Sequence, residues 1–377
     1  MAGPGRKSVY AYLAYDLLSG SRIAEVPLSG GVTYTSQVPS IGDGGLTGRI
    51  HPSAAMGTNR AGRPDLAAVL GYRTKIYVVR DGRIMWGGFF RYWDQAPDGV
   101  SLAEGGCPGL LSYFAHREIR TTLTYSQVDQ LLIGDGIIAT MQAKTGGNIG
   151  IVLRGKTSGV LRDRTYPGTE LKEARAALVE LSQVQNGFDV RLESGTGPAG
   201  PVDTLVLSYP RTDLAAPVAD LPVLTYPGNI RSYTGFGDSG LATDVAAVGG
   251  GDGIDAIRAY SVNQHLLDAG WPVLERSVSF TDVTQLTTLQ DHADAEAETR
   301  AYLSFSTTLD LGPDDPPLGT YDAGDWFRLR IKDDPFFGVG GDGSDIDVDA
   351  RATQRTVSVP DSGEEKVSLT VTAKMPI

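Results

Sequence analysis

Arg73-Thr-Lys-Ile-Tyr-Val-Val-Arg-Asp-Gly-Arg-Ile-Met-Trp-Gly-Gly-Phe-Phe-Arg-Tyr-Trp93 decides how the chain is read. Asp81-Gly82 is a two-residue type I′ turn signal between two strand-like runs. A turn there sets Val79 opposite Ile84 and Tyr77 opposite Trp86 on one side. It sets Val78 opposite Met85 and Ile76 opposite Gly87 on the other. Both faces of such a hairpin are apolar, so it belongs at the centre of a core rather than on a surface. Gly87-Gly88 marks a bulge or sharp bend in the second strand. The hairpin holds no nucleophile, no metal ligand set and no acid–base pair, so the central element reads as architectural.

The same strand-and-turn texture extends outward. On the N-terminal side, Val9–Asp16, Arg22–Val26 and Val32–Val38 read as a β meander with a turn at Ser19-Gly20. Residues 39–65, rich in Gly, Pro, Asn and Ser, read as a long excursion, and Leu66–Leu70 as a short helical turn. Beyond the hairpin, Val100–Ala103 adds a strand, and the first β unit ends near residue 112.

The pattern then changes. Tyr125–Asp129 reads as the start of a helix with Ser126 as its N-cap and Val128, Leu131, Leu132 and Ile138 on its apolar face, weakened by Gly134 and Gly136. Ile149–Arg154 reads as a strand. Glu170–Asn186 reads as a helix, with Leu171, Ala174, Leu178 and Leu181 at helical spacing and Gly187 at its C-terminal cap. Phe188–Glu193 and Thr204–Tyr209 complete a small α+β unit over residues 113–215.

From residue 216 the strands return: Thr243–Val248, Ile257–Ser261, Val273–Thr281, Ser304–Leu311 and Trp326–Lys332. One helix spans Val283–Leu303. A final hairpin pairs Thr353–Val359 with Lys366–Ala373. The expected class is therefore mainly β with an α+β insert, divided as 1–112, 113–215 and 216–377, the last with one helix and a smaller insert.

Bulk properties narrow the function. With 377 residues the chain is long for one core, and its formal charge of −12 argues against an exposed phosphate-binding surface. The single cysteine, Cys107, excludes an intrachain disulfide framework and a cysteine-based zinc site. The N-terminal apolar run is short, meets Asp16 and carries no signal-cleavage pattern. No run approaches the ~18 apolar residues of a membrane span, so a soluble, cytoplasmically made chain without a membrane anchor is expected.

Several motifs resemble chemistry without its context. Gly150–Thr157 matches a phosphate-loop pattern by letter, but Ile151-Val-Leu-Arg154 is strand material and no helix follows. Gly237-Asp-Ser239-Gly240 has the letters of a protease nucleophile loop, yet none of His51, His116, His265 or His292 sits in the matching context. Gly340–Asp345 looks like one copy of a calcium-binding nonapeptide, and Asp342, Asp345, Asp347 and Asp349 could group around calcium, but the stacked second copy is missing. Asp310 to Asp315 reads as an exposed Pro-rich loop. Trp86, Phe89-Phe90, Tyr92 and Trp93 could form a sugar platform, though their place on the hairpin favours packing. No catalytic, cofactor or metal residue is assigned.

The order of several pieces resembles the minor tail proteins of actinobacterial long-tailed phages. The pieces are Tyr12–Gly20 with Glu25–Leu28, Gly71–Gly88, Tyr226–Ile230, Gly270–Pro272 and Gly324–Arg330, and together they span nearly the whole chain. The resemblance implies a baseplate or tail hub protein with two tail-tube-like β-barrels, in 1–112 and 216–377, and 113–215 as the inserted module. It also implies a homotrimer that adapts a sixfold tube to a threefold tip. Its implied partners are the distal tail or tail tube protein, the tape measure protein and other minor tail proteins. No enzymatic activity, no cofactor and no sequence-specific nucleic-acid binding are implied. The implied location is the tail tip of the virion; on that reading the net charge of −12 suggests a negative lumen past which DNA would slip during ejection. A hydrolase acting on a cell-wall polymer through Ser239 or an acidic pair, and a glycan-binding module using exposed aromatics, are the alternatives.

Overall fold

The computed structural model describes residues 8–38, 44–50, 68–96, 99–210, 220–238, 240–251, 253–281, 283–332, 345–362 and 364–375. The chain opens with β1 (Tyr10–Asp16), β2 (Arg22–Glu25), β3 (Leu28–Gln37) and β4 (Leu46–Ile50). The quoted hairpin is β5 (Thr74–Arg80) and β6 (Arg83–Phe90), followed by β7 (Asp94–Ala96) and β8 (Gly99–Leu102). β4 forms inside the stretch expected to be an excursion. One sheet runs β2-β1-β5-β6, while β3, β4, β8 and β7 are consecutive in a second.

Asp81 and Gly82 both take positive φ, 48° and 81°, as a type I′ turn requires. Val79 lies opposite Ile84, but a register shift follows at once. Val78 then faces Trp86, Tyr77 faces Gly87 and Ile76 faces Gly88. The bulge therefore falls at Met85, not at Gly87-Gly88, and the expected pairs beyond Val79 move by one. The shift sorts the faces. Ile76, Val78, Trp86 and Phe90 join one core, while Tyr77 and Phe89, with Ile84 against them, join another. Gly88 serves close approach instead: a Cβ there would sit 2.2 Å from the Trp86 ring and 2.8 Å from Cys107 Sγ.

The second core belongs mostly to the unit that follows. It contains β9 (Leu123–Asp129), α1 (Gln130–Ala143), β10 (Ile151–Val152), β11 (Leu161–Tyr166), α2 (Ala174–Ser182), β12 (Asp189–Gly197) and β13 (Gly200–Ser208). Tyr125–Asp129, expected to open a helix, is instead strand paired antiparallel with β11. The cap is Asp129, whose Oδ1 accepts the Leu131 N–H at 2.9 Å, while Oδ2 accepts the Ser158 and Gly159 N–H groups. Asp129 thus ties the helix start to a distant loop, which Ser126 could not do from within the strand. The buried face of α1 is Leu131, Ile133, Ile137, Ile138 and Met141, and Leu132 points outward. α2 is shorter than its periodicity suggested, because Leu171 lies at φ 50° and is exposed.

The remaining strands are β14 (Val223–Tyr226), β15 (Ile230–Asp238), β16 (Asp244–Val248), β17 (Arg258–Val262), β18 (Glu275–Ser279), β19 (Leu303–Leu311), β20 (Trp326–Ile331), β21 (Ile346–Val359) and β22 (Lys366–Met375). Short α3 (Gln264–Asp268) precedes β18, and α4 (Leu286–Thr299) follows it. The sheet β17-β16-β18, with α4 packed on it, is a small insert between β15 and β19, which pair directly with each other.

β21 is the spine of the molecule. Its first part pairs with β20, its last part with β3, and its other edge with β22. One sheet consequently runs β15-β19-β22-β21-β3-β4-β8-β7, with β20 and β14 branching from β21. A single core under it unites Val32, Tyr34 and Leu46 from the N-terminal part with Leu309, Phe327 and Leu369 from the C-terminal part. The fold is mainly β with small α+β parts. No closed barrel forms among the described residues, although β14 and β15 are joined by a tight turn at opposite lips of their strand group.

Candidate functional site

The α+β unit is fastened to the β body by buried charges. Lys75 Nζ on β5 lies 2.6 Å from Asp203 Oδ2 on β13 and donates to the Ile149 carbonyl at 2.6 Å. Asp203 also accepts the Tyr77 hydroxyl at 2.7 Å and the Ser194 hydroxyl at 2.7 Å. Side-chain exposure is 7% for Lys75 and 2% for Asp203, so the pair is out of water and relies on those extra bonds. Burial, and secondarily the charge of Asp203, pushes the Tyr77 phenol far above its usual range. A second buried pair, Arg351 with Asp189 at 2.9 Å, joins β21 to β12. Arg191 of β12 meets Asp325 at 3.3 Å, and Arg80 meets Glu365 at 3.0 Å. These groups were not singled out in the sequence. The one signal there was Lys75 itself, a cation inside a hairpin apolar on both faces.

Where β3, β6, β12 and β21 converge there is a cleft of about 570 Å³. Arg355, 2% exposed, forms its floor. Its guanidinium donates to the Tyr321 carbonyl at 2.6 Å and lies 3.2 Å from Asp322. Trp86, Met85, Arg191 and Ser194 are among the walls, and no histidine or cysteine lines it among the described residues. Arginines held by carboxylates and carbonyls are suited to holding strands together.

The motifs flagged in the sequence are dispersed. Ile151-Val152 is a short strand parallel to β13, and no helix starts after Gly155-Lys156-Thr157, so no helix end faces a phosphate there. Ser239, His51 and Asp342 lie outside the described residues. His116 packs edge-on against Tyr72 and Phe89, and its pKa is lowered by burial and by Arg91. His292 stacks on Phe280 at 4.2 Å, and His265 sits on α3. Asp347 and Asp349 bond Arg328 at 2.6 and 2.8 Å across β20 and β21, with Asp347 also reaching Arg330. Arg328 and Arg330 hold the Asp347 carboxyl below its usual range. No metal-holding group of three His, Cys, Asp or Glu occurs among the described residues. Trp86, Phe89 and Phe90 are buried, Trp93 leans on Phe90 with ring centres 4.6 Å apart, and Tyr92 is exposed. Cys107 is fully buried, and burial raises its thiol pKa.

No protein-family model and no curated protein sequence matches the chain. Solved structures do. A tail protein from Neisseria meningitidis MC58 is similar with a TM-score of 0.57 at 14% identity, over 97% of this chain and 96% of that one. The 43 kDa tail protein of prophage MuSo2 from Shewanella oneidensis gives 0.56 at 9% identity, over 96% and 98%. Prophage tail protein gp18 from Listeria monocytogenes EGD-e gives 0.52 at 10% identity, over 96% and 94%. The chain therefore has, from end to end, a fold found in phage tail proteins.

Proposed function

We propose that this chain is a structural, non-enzymatic subunit of a phage tail, the hub of its tip or baseplate, working as a homotrimer through which DNA passes on ejection. The reading that actinobacterial long-tailed phages are its source rests on the sequence resemblance alone. In this reading 1–112 and 216–377 are two tube-like units and 113–215 is the module inserted between them. Its partners are the tail tube or distal tail protein, the tape measure protein and other minor tail proteins, within the virion.

One observation carries the proposal: the sheet shared by the two units. Its main path has eight strands, four from the C-terminal part (β15, β19, β22, β21) and four from the N-terminal part (β3, β4, β8, β7). The two halves meet edge to edge at the β3–β21 ladder, six residue pairs long. The path ends at β15 and β7, which carry no further ladder partner among the described residues. Open edges invite pairing. If β7 of one chain meets β15 of the next, the contact is head-to-tail and closes into a ring when the rotation allows. Three copies would place six such four-strand units around an axis, which matches a sixfold tube while keeping threefold symmetry. The buried ion pairs above fit the same role, since they tie the inserted module to the β body within each protomer.

Light scattering of the purified protein tests this. The expected mass is three times that of the 40.0 kDa chain. A dimer, or a monomer at every concentration reached, would overturn the ring.

A further inference from the structure

The side of the shared sheet that faces away from the core has its own chemistry. Directly opposed residues on neighbouring strands point to the same face. On the core side stand Val357, Val367 and Leu311 in one row, and Leu369 and Leu309 in the next. The rows that alternate with them point the other way. One row reads Thr234, Thr308, Thr370, Gln354, Gln37 from β15 to β3. The next reads Ser232, Asp310, Ser368, Thr356, Thr35. A third reads Lys366, Ser358, Thr33, Thr47. None of these side chains is buried.

Ten of these fourteen positions are hydroxyls and two are amides. The two charges in these rows, Asp310 and Lys366, have opposite signs, and the charges elsewhere on this face are balanced too: Arg49 shares a row with Asp94, and Arg328 and Arg330 stand opposite Asp349 and Asp347 on the branch. The excess of carboxylates that sets the net charge of −12 therefore lies elsewhere. Many hydroxyls pair with each other across strands: Thr35 with Thr356 at 3.0 Å, Thr308 with Thr370 at 3.1 Å, Thr33 with Ser358 at 3.4 Å. Their hydrogen-bonding capacity is partly used within the sheet. Threonine also suits a half-exposed strand, so one residue type serves both fold and surface.

We infer that this face is the wall of the passage, and that it is a hydroxyl wall for duplex DNA to slide past, not the acidic one expected from net charge. The inference rests on the ring reading. A cationic wall would hold DNA by releasing its counterions. An acidic wall would repel it over the ~8 Å reach of unscreened charge at physiological salt. A neutral, hydrated face whose hydroxyls bond one another does neither, which fits a polyanion that must travel without stopping.

Position is tested with the single substitution Thr370→Cys, labelled with maleimide-gold and imaged as assembled particles by electron microscopy. Cys107 is buried, so the unsubstituted protein provides an unlabelled background. Gold in the central hole is expected. Gold on the outer rim of an intact ring overturns the inference and leaves the ring standing, whereas absence of any ring in the unsubstituted protein removes both. Chemistry is tested with Thr356→Lys plus Thr370→Lys. Unsubstituted rings should retain neither linear nor closed circular duplex DNA at ~50 mM salt, while the lysine variant should retain linear DNA at least about tenfold better and release it as salt rises towards ~200 mM. Circular DNA, which cannot thread a ring, should stay free. Salt-sensitive retention by the unsubstituted ring, or equal retention of circular DNA by the variant, would contradict the proposal.

Discussion

Asp203 concentrates the energetics of the molecule at one residue. It receives Lys75, Tyr77 and Ser194 and connects strands that are 128 residues apart in sequence. Removing the carboxylate leaves a buried ammonium without its counter-charge, so Asp203→Ala should destabilise by about 3–5 kcal/mol in urea unfolding. Replacing both partners, as Lys75→Met with Asp203→Leu, should recover most of that loss. A single variant within about 1 kcal/mol of the unsubstituted protein would show that the pair is not a fastening. Asp16 behaves differently. The Ser19 N–H, then Arg73 and the Ser19 hydroxyl, hold its carboxyl down at about 2. The unfolded chain takes up this proton first on acidification, so the contribution of Asp16 is complete above pH ~4 and is lost as pH falls towards ~2. Asp16→Asn should flatten that part of the pH–stability curve, and an unchanged slope would remove the assignment. None of this network was readable from the sequence beyond the anomaly of Lys75, because a buried pair is defined by a partner that only the fold supplies.

At the scale of elements, local chemistry predicted what local chemistry controls. The Asp81-Gly82 turn and the two-faced burial of β5 and β6 follow from residues a few positions apart. The bulge at Met85 does not, since it is set by which side chains the two cores accept. The start of α1 was misplaced for a similar reason: Asp129 caps the helix while also holding Ser158 and Gly159, and Ser126 only looks like a cap in one dimension. β4, β14 and β15 are short or glycine-interrupted and gain strand character from neighbours across the sheet. Gly88 offers the test at this scale. A methyl there meets the Trp86 ring at 2.2 Å, with Cys107 behind it. Gly88→Ala should cost about 1–3 kcal/mol and lower the thermal midpoint. A midpoint within a degree of the parent would mean that the hairpin yields more easily than its two packed faces imply.

For the whole molecule, the decisive feature is a ladder between residues more than 300 apart, β3 with β21, which makes one sheet of two chain ends. Composition suggested strands and the order of motifs suggested a tail protein. The shared sheet, its eight-strand path and its hydroxyl face required the pairing to be seen. Of the flagged histidines, His116 packs beside the hairpin, while His265 and His292 sit on α3 and α4 of the small insert. A cryo-electron microscopy reconstruction of the assembled protein measures the central claim directly. The account predicts three chains around a hole, with β7 of each beside β15 of the next and the Thr308–Thr370 rows turned inward. Chains joined through the α+β units, with β7 and β15 left apart, would contradict it.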